Sequence, residues 1–308
     1  MKTLYNKLAL TLALILLAGV SFAQNVLVDA KKNYPNIKKI EVDGGWLEVS
    51  YQGGSGSAVE VEAYLESNDS DQDIIFVTVG DVLKITHERK QNNYNWNTKN
   101  KGYIKISGPA SIALDLKSGS GSMKVANVSN ESTSLKVSSG SISASEIKGD
   151  LSIRASSGSL KIDRVDGNVV AGVTSGSAEI LNVKGNVDYE STSGSLTADQ
   201  VSGELSVALT SGNAKLTNIG TLGSLKFTSG NIRAENSGLG PNTRLNGTSG
   251  NFRIQTPSNL KGFNFSLSAS SGNLKVGATS TGKNLEIDNG VSSWVRGSVS
   301  SGNITIEN

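Results

Sequence analysis

The sequence predicts an all-β protein, a two-sheet parallel β-solenoid of the β-helix or β-roll type with about 18 residues per coil and a β-rich N-terminal cap. Glycine returns at every ninth residue from Gly140 to Gly212, and polar and apolar residues alternate between these glycines. The composition is rich in glycine, with 35 of 308 residues, and contains only 4 prolines. Alternation indicates strands with one buried face, and a fixed period indicates stacked repeats.

Residues 1–23 have the pattern of a secretory signal peptide. Lys2 and Lys7 precede an apolar run that reaches Val20, and a small-x-small site ends at Ala23. The run is short for a membrane span, so we expect cleavage after Ala23 and export to the periplasm, the outer surface or the medium. The chain contains no cysteine, which excludes disulfides and cysteine-based sites, and we expect that the protein is not a lipoprotein.

The charge of the remaining chain is balanced. Lys2 and Lys7 are the charged residues of the leader, so its removal leaves 27 basic and 27 acidic side chains. A neutral protein has no overall field that attracts nucleic acid, and no later apolar stretch is long enough to cross a bilayer. We therefore expect no nucleic-acid partner and no transmembrane segment in the mature chain.

Residues 24–110 form a first region, a β-rich cap or a set of wider first coils. Its candidate strands are longer than those that follow, and polar turns such as Asp43-Gly44-Gly45 join them. A solenoid needs a cap because its open end exposes an unpaired strand edge. The predicted strands are 37–43, 46–51, 57–66, 74–79, 81–88 and 102–107.

Residues 111–236 are predicted to form the regular coils. Nine-residue units that follow a Ser-Gly-Ser or Ser-Gly-Asn turn alternate with units that follow a plainer turn, so the true period is 18. In the first kind, apolar residues follow glycine at the second, fourth and seventh positions, as in Leu160, Ile162 and Val165. The last step breaks the alternation and indicates a bend or bulge before the corner.

Glycine is expected at the corners of each coil, where a positive φ or a close backbone approach is needed. Flanking Ser, Asn and Thr side chains are then expected to form polar rows along each corner. In the stretch 156–185 we predict that Lys161, Asp163 and Val170 face outward, and that the inward residues are Leu160, Ile162, Val165, Val169, Ala171 and Val173. Residues 237–308 are predicted to form irregular C-terminal coils, with Trp294 helping to cap the stack.

These patterns resemble a known bacterial family. The runs YIKISGPASIALDLKSGSGSMKV and SSGSISASEIKGDLSIRASSGSLKIDRVDG are similar to the β-strand repeats of the bacterial putative-adhesin family. The resemblance covers about residues 37–308 and is specific for the style of repeat. It implies an exported repeat domain of unknown biochemical function and supplies no catalytic residues.

Enzyme and metal chemistry are weakly indicated. A calcium β-roll needs aspartates that recur at one turn position, whereas Asp150, Asp166 and Asp188 do not recur in this way. His87 is the chain's one histidine, and we expect it to be an exposed residue at a strand end. We therefore predict a protein that is not an enzyme and has no cofactor or metal, although a polysaccharide lyase or hydrolase built on a β-helix stays open as an alternative.

A polar loop at residues 90–102 holds the candidate contact residues. Tyr94 and Trp96 lie there among asparagines and lysines, a combination suited to stacking on sugar rings or anchoring a protein. The alternative is that both aromatic rings fold back on the cap, and Trp46 and Trp294 are expected to be packing residues. We predict an adhesin-like structural or interaction module, with an envelope glycan or a surface protein as candidate partner.

Overall fold

The computed structural model describes residues 25–90 and 99–308. Almost all of the ordered backbone is β-strand, and the helical content of these residues is one 3₁₀ turn, η1 (Leu260–Gly262). The all-β prediction is confirmed.

The strands fall into three groups along the chain. The first group is β1 (Asn25–Tyr34), β2 (Lys39–Asp43), β3 (Glu48–Gly54), β4 (Val59–Ser67), β5 (Gln72–Val79), β6 (Val82–Arg89) and β7 (Asn100–Pro109). The second is β8 (Ala113–Ser118), β9 (Met123–Ser139), β10 (Ile142–Asp166), β11 (Val169–Val183) and β12 (Val187–Glu235). The third is β13 (Leu239–Gln255), β14 (Asn264–Ser271), β15 (Leu274–Val276), β16 (Thr279–Thr281), β17 (Asn284–Ile287), β18 (Trp294–Ser301) and β19 (Ile304–Glu307).

Neighbouring repeats of the middle group pair in parallel with an offset of 18 residues. Leu151 pairs with Val169, which in turn pairs with Val187. The corner residue Gly176 likewise lies between Gly158 and Gly194. Each residue therefore stands beside its counterpart from the next repeat, and residues 18 apart form rows along the protein.

The apolar residues of the repeat face a continuous core. The six predicted inward residues of the stretch 156–185 are each at most 2% exposed. Lys161 and Val170 are exposed, as predicted. Asp163 is half-buried because Arg164 and Asn182 bind its carboxylate.

The predicted bend between the fourth and seventh positions is a single residue with left-handed backbone. Its φ lies between 48° and 58° in each repeat, and this extra residue restores an inward direction for the next apolar side chain. Asparagine tolerates this conformation better than most residues. The row consists of Asn127, Glu146, Arg164, Asn182, Gln200, Asn218 and Asn236.

Gln200→Asn is expected to stabilise the protein by about 0.5–1 kcal/mol, because asparagine adopts the left-handed region at lower cost than glutamine. Neighbouring asparagines of this row also bond to each other, as Asn236 Nδ2 donates to Asn218 Oδ1 over 2.7 Å. The midpoint of urea unfolding measures the change. A Gln200→Ala control lacks both benefits, so equal midpoints for the two variants would contradict this explanation.

At the N-terminal end the parallel pairing continues for two further layers and then changes direction. β2 lies between β8 and β6, and β3 lies between β9 and β7, with all four pairings parallel. β5 then joins β6, β4 joins β7, and β1 joins β4, and these three pairings are antiparallel. The sequence analysis did not predict β1.

At the C-terminal end the strands are not stacked in chain order. β18 and β19, the last two strands, lie between β13 and the pair formed by β14 and β15. The short strands β16 and β17 then pair antiparallel with β15 and β14. Short polar strands leave little exposed edge for another chain to join.

Candidate functional site

The predicted contact residues Tyr94 and Trp96 lie outside the described residues, so their role stays a prediction. The structure does show where their loop is attached. On one side the Arg89 guanidinium binds the Asp69 carboxylate over 2.6 Å, and on the other the Lys99 amide donates to Asn68 Oδ1 over 3.0 Å. Both ends of the loop are therefore tied to the turn between β4 and β5.

A polar network centred on Gln72 lies beneath this loop. Gln72 is 5% exposed, and its Oε1 accepts a hydrogen bond of 2.8 Å from Trp46 Nε1. Its Nε2 donates to Ser67 Oγ over 3.0 Å and to Asn100 Oδ1 over 3.3 Å. Since buried polar groups need partners, this network fixes the base of the loop.

His87 is half-buried, so the expectation of an exposed strand-end residue is wrong. Its ring meets the Trp46 ring edge-on, with centroids 5.6 Å apart, and the backbone of Gly45 lies against Nδ1. The cover comes from the turn at residues 44–46, which is distant in sequence. His87 Nε2 lies 3.1 Å from Gln72 Oε1, and that acceptor makes Nε2 the protonated nitrogen of the neutral ring.

Burial lowers the pKa of His87, an effect that the carboxylate of Asp43 opposes and the charge of Arg89 reinforces. The folded protein therefore binds this proton less readily than the unfolded chain, and stability is expected to fall as pH drops below the ordinary value of 6.5. His87→Gln keeps an N–H donor and cannot titrate, so its melting temperature should change less between about pH 7 and about pH 5. The pKa values of Glu41, Glu62 and Glu307 are lowered from 4.5, so these groups titrate below that window. Equal slopes for the variant and the parent chain would contradict this role.

The other two tryptophans pack as structural residues. Trp46 packs against the hydrophobic core. Trp294 is half-buried in β18, and the Arg296 guanidinium lies 5.5 Å from the centre of its ring. Neither ring presents an open face comparable to a sugar-binding platform.

Charged and polar side chains of the repeat mostly contact the equivalent region of the next repeat. Asp166 binds Lys184 over 2.7 Å, and the Asp163 and Asp199 carboxylates accept hydrogen bonds from asparagines of the following repeat. The turn residues form the predicted polar rows, as Ser159 Oγ donates to Ser141 Oγ over 2.9 Å. Within residues 25–90 and 99–308, no three His, Cys, Asp or Glu side chains are close enough to hold a metal ion.

A groove of 720 Å³ runs across the repeats and differs from this pattern. Its floor is a row of inward-facing residues: Ala155, Val173, Ser191, Leu209 and Phe227. One wall, here named the charged wall, consists of Arg154, Gly172, Glu190, Ala208 and Lys226. The opposite wall, the hydroxyl wall, consists of Ser156, Thr174, Thr192, Thr210 and Thr228.

The ionic groups of this groove are unpaired. Arg154, Glu190 and Lys226 are exposed, and none of them takes part in an ion pair with the described residues. Lys136 also lines the groove. Three cations and one carboxylate are therefore available to a ligand.

The floor contributes few polar groups to the groove. Ser191 Oγ and the Tyr189 hydroxyl are buried without a hydrogen bond of standard geometry to the described residues. Burial raises the pKa of Tyr189, and the neighbouring Ser191 hydroxyl opposes that rise. Since these hydroxyls are turned away from solvent, recognition in the groove depends on its two walls.

A second groove, of 680 Å³, follows the row of left-handed residues. Its rim includes Glu146, Arg164, Asp166 and Lys184. Here the opposite charges bind each other, with Arg164 contacting Glu146 over 3.2 Å and Lys184 contacting Asp166 over 2.7 Å. The first groove is therefore the better candidate for recognition of a charged ligand.

The sequence analysis treated Glu190 as one of several scattered acids and did not identify Arg154 or Lys226. These residues are 36 positions apart, so no short motif connects them. Reading every eighteenth residue as one column, two positions before each Thr-Ser-Gly turn, would have revealed the charged wall.

Fold and groove together define a repeat protein built almost wholly from β-strands, with paired charges between repeats and an open charged groove. The chain belongs to the Toastrack DUF4097 family, whose model matches residues 37–206 and 150–307. No curated protein matches the chain.

Several solved structures are distantly similar. A putative adhesin from Bacteroides fragilis is 12% identical with a TM-score of 0.35, and 90% of this chain and 96% of that chain are covered. A putative adhesin from Parabacteroides distasonis is 12% identical with a TM-score of 0.31 and coverages of 91% and 96%. A putative lipid binding protein from the same organism is 15% identical with a TM-score of 0.28 and coverages of 89% and 96%.

The family membership confirms the resemblance to a β-repeat family of unknown function. A search of the described helical segments finds none with the length and apolar character of a membrane span.

Proposed function

We propose that this protein is an exported, non-enzymatic, adhesin-like interaction module of the cell envelope or surface. The observation that carries the proposal is the division of its charges into two sets. Charges along most of the repeat bind the neighbouring repeat, as in the pair of Lys161 and Glu179, whereas those of the groove are exposed and unpaired. Structural charges stabilise the stack, and the groove charges are available for binding.

The proposed scaffold is a two-sheet parallel solenoid with 18-residue coils. Parallel pairing at an offset of 18 supports it, as do the two apolar rows in each repeat. A stack of this kind holds the walls of the groove at a fixed spacing of about 4.8 Å per coil, which limits the entropy lost when a ligand binds.

Carbohydrate binding is the second candidate function, and the shape and hydroxyl wall of the groove favour it. Polysaccharide hydrolysis is less well supported. Glycosidases use a pair of carboxylates that flank the bond to be cleaved, whereas Glu190 is the one carboxylate among the residues that line the groove.

Export is supported by the position of the first strand. β1 begins at Asn25, so cleavage after Ala23 would leave this strand whole. The test is N-terminal sequencing of the protein isolated from its native cells. A mature chain that begins at Gln24 supports export by a cleaved leader, and an intact Met1 would contradict it.

Adhesion can be measured with beads coated with residues 24–308 and incubated with envelope fragments of the native cells. We expect the beads to retain envelope material, whereas beads coated with the core variant Ile162→Asp should not. Equal retention on both would overturn the interaction function. Release of new reducing ends from envelope polysaccharide by the folded chain would instead support the enzymatic alternative.

A further inference from the structure

We propose that the groove binds an extended β-linked glycan that carries one carboxylate on each disaccharide. This inference rests on the proposed interaction function and names the class of ligand. It assigns the two notches in the charged wall, at Gly172 and Ala208, to successive carboxylates, and Glu190 to the sugar between them.

The sign of the charges indicates an anionic ligand. Three basic side chains and one acidic side chain line the groove, and none of the four takes part in an ion pair with the described residues. An arginine presents a planar fork that matches a carboxylate, and a lysine presents a mobile point charge. Arg154 and Lys226 together therefore offer two separate positions for negative groups.

The arrangement of side chains along the charged wall gives the period of the ligand. Large and small residues alternate from one repeat to the next, in the order Arg154, Gly172, Glu190, Ala208 and Lys226. Each step is about 4.8 Å, so the notches at Gly172 and Ala208 are about 9.6 Å apart. A ligand that fits both notches must repeat over this length.

An extended peptide does not have this period. Its side chains on one face recur every two residues, which is about 6.7 Å. The disaccharide of an extended β-linked glycan is much closer to the length of two coils. The spacing of the notches therefore favours a glycan over a peptide strand.

Each notch has a cation beside it. An added Cβ at Gly172 would lie 3.1 Å from Arg154 Nη1, so the guanidinium extends along the wall into the space that glycine leaves. Lys226 lies one repeat beyond Ala208. Carboxylates in the two notches would therefore each meet one basic group.

Glu190 stands between the notches and selects the intervening sugar. Its carboxylate accepts hydrogen bonds and repels a negative group. A hydroxyl or amide N–H of a neutral sugar suits this position, whereas a glycan with a carboxylate on every sugar places a charge against it. Across the groove the hydroxyl wall supplies one donor and acceptor per coil, which matches the density of sugar hydroxyls.

A hyaluronan octasaccharide tests the inference, because it is β-linked and alternates a uronate with an N-acetylated amino sugar. Binding is measured by calorimetry with residues 24–308. We expect binding of this probe to exceed that of an oligomannuronate with a carboxylate on every sugar, of neutral cello-oligosaccharides and of a hexaglutamate peptide. Absence of hyaluronan binding, or equally tight binding of the peptide, would overturn the proposal.

Substitutions place the binding in the groove. Arg154→Ala combined with Lys226→Ala is expected to weaken hyaluronan binding at least tenfold, and Glu190→Gln should reduce the preference over oligomannuronate. The matched control is Lys124→Ala combined with Lys215→Ala, which removes two exposed positive charges away from the groove and should change affinity less than twofold. An equal loss in both double variants would contradict the assignment, and melting curves show that each variant is folded. Beads that still retain envelope material while hyaluronan does not bind would overturn the glycan class and leave the adhesion function standing.

Discussion

Ile162→Asp is expected to unfold the repeat region or to lower its stability by more than about 4 kcal/mol. Ile162 is fully buried and pairs with Ile180 of the next repeat and Ala144 of the previous one. The aspartate would place an unpaired charge between two thin layers of aliphatic side chains. Loss of the β-sheet circular dichroism signal, or a large fall in the urea midpoint, is the result that we expect.

Val170→Asp is the matched control, since it introduces the same charge on a neighbouring strand. Val170 is 41% exposed, so its replacement should change stability by less than about 0.5 kcal/mol. Similar unfolding curves for the two variants would show that the assigned facing of the strands is wrong.

Gly176→Ala is expected to destabilise the protein by about 3 kcal/mol or more, because two costs combine. Gly176 has a φ of 144°, which residues with a Cβ rarely adopt. An added Cβ would also lie 1.8 Å from the carbonyl oxygen of Gly158 in the preceding repeat. Neither the backbone nor the oxygen can move without breaking the pairing of adjacent repeats.

The same exchange at Gly56 provides the control for Gly176. No atom lies within 4 Å of the position that a Cβ would take there, and we expect a change below about 0.5 kcal/mol. Urea unfolding of both variants measures the difference. A Gly176 variant as stable as the Gly56 variant would mean that the corners of adjacent repeats are not in close contact.

The repeat was predictable because its signals are local and recur. The nine-residue glycine series and the two apolar patterns predicted strands, facing and the bend, and the structure places that bend at residues such as Asn182 with a φ of 56°. The order of the last strands was not predictable in this way. The insertion of β18 and β19 between β13 and β14 depends on pairings across about 50 residues, and no local pattern encodes such a choice.

The site was less predictable than the fold. His87 was expected to be exposed because its own strand end looks polar, but its cover comes from Gly45 and Trp46, about 40 residues earlier. The unpaired charges of the groove were missed for a related reason. Their significance lies in which neighbours fail to pair with them, and that depends on the register between repeats.

The central claim is that the repeats stack in parallel with 18 residues per coil, since this arrangement creates the groove. The chain contains no cysteine, so spin labels can be attached to introduced cysteines alone. Ser134 and Arg244 are exposed and lie six steps apart along one row, through Ser152, Val170, Asp188, Ser206 and Ser224.

The decisive measurement is the distance between the two labels by pulsed electron resonance. The stack predicts a narrow distribution centred near 29 Å for Ser134 and Arg244, at about 4.8 Å per coil. Moving the first label from Ser134 to Val170 removes two steps and should shorten the distance by about 10 Å. A distance that does not change with this move, or a broad distribution for both pairs, would contradict the stacked repeat and the groove built on it.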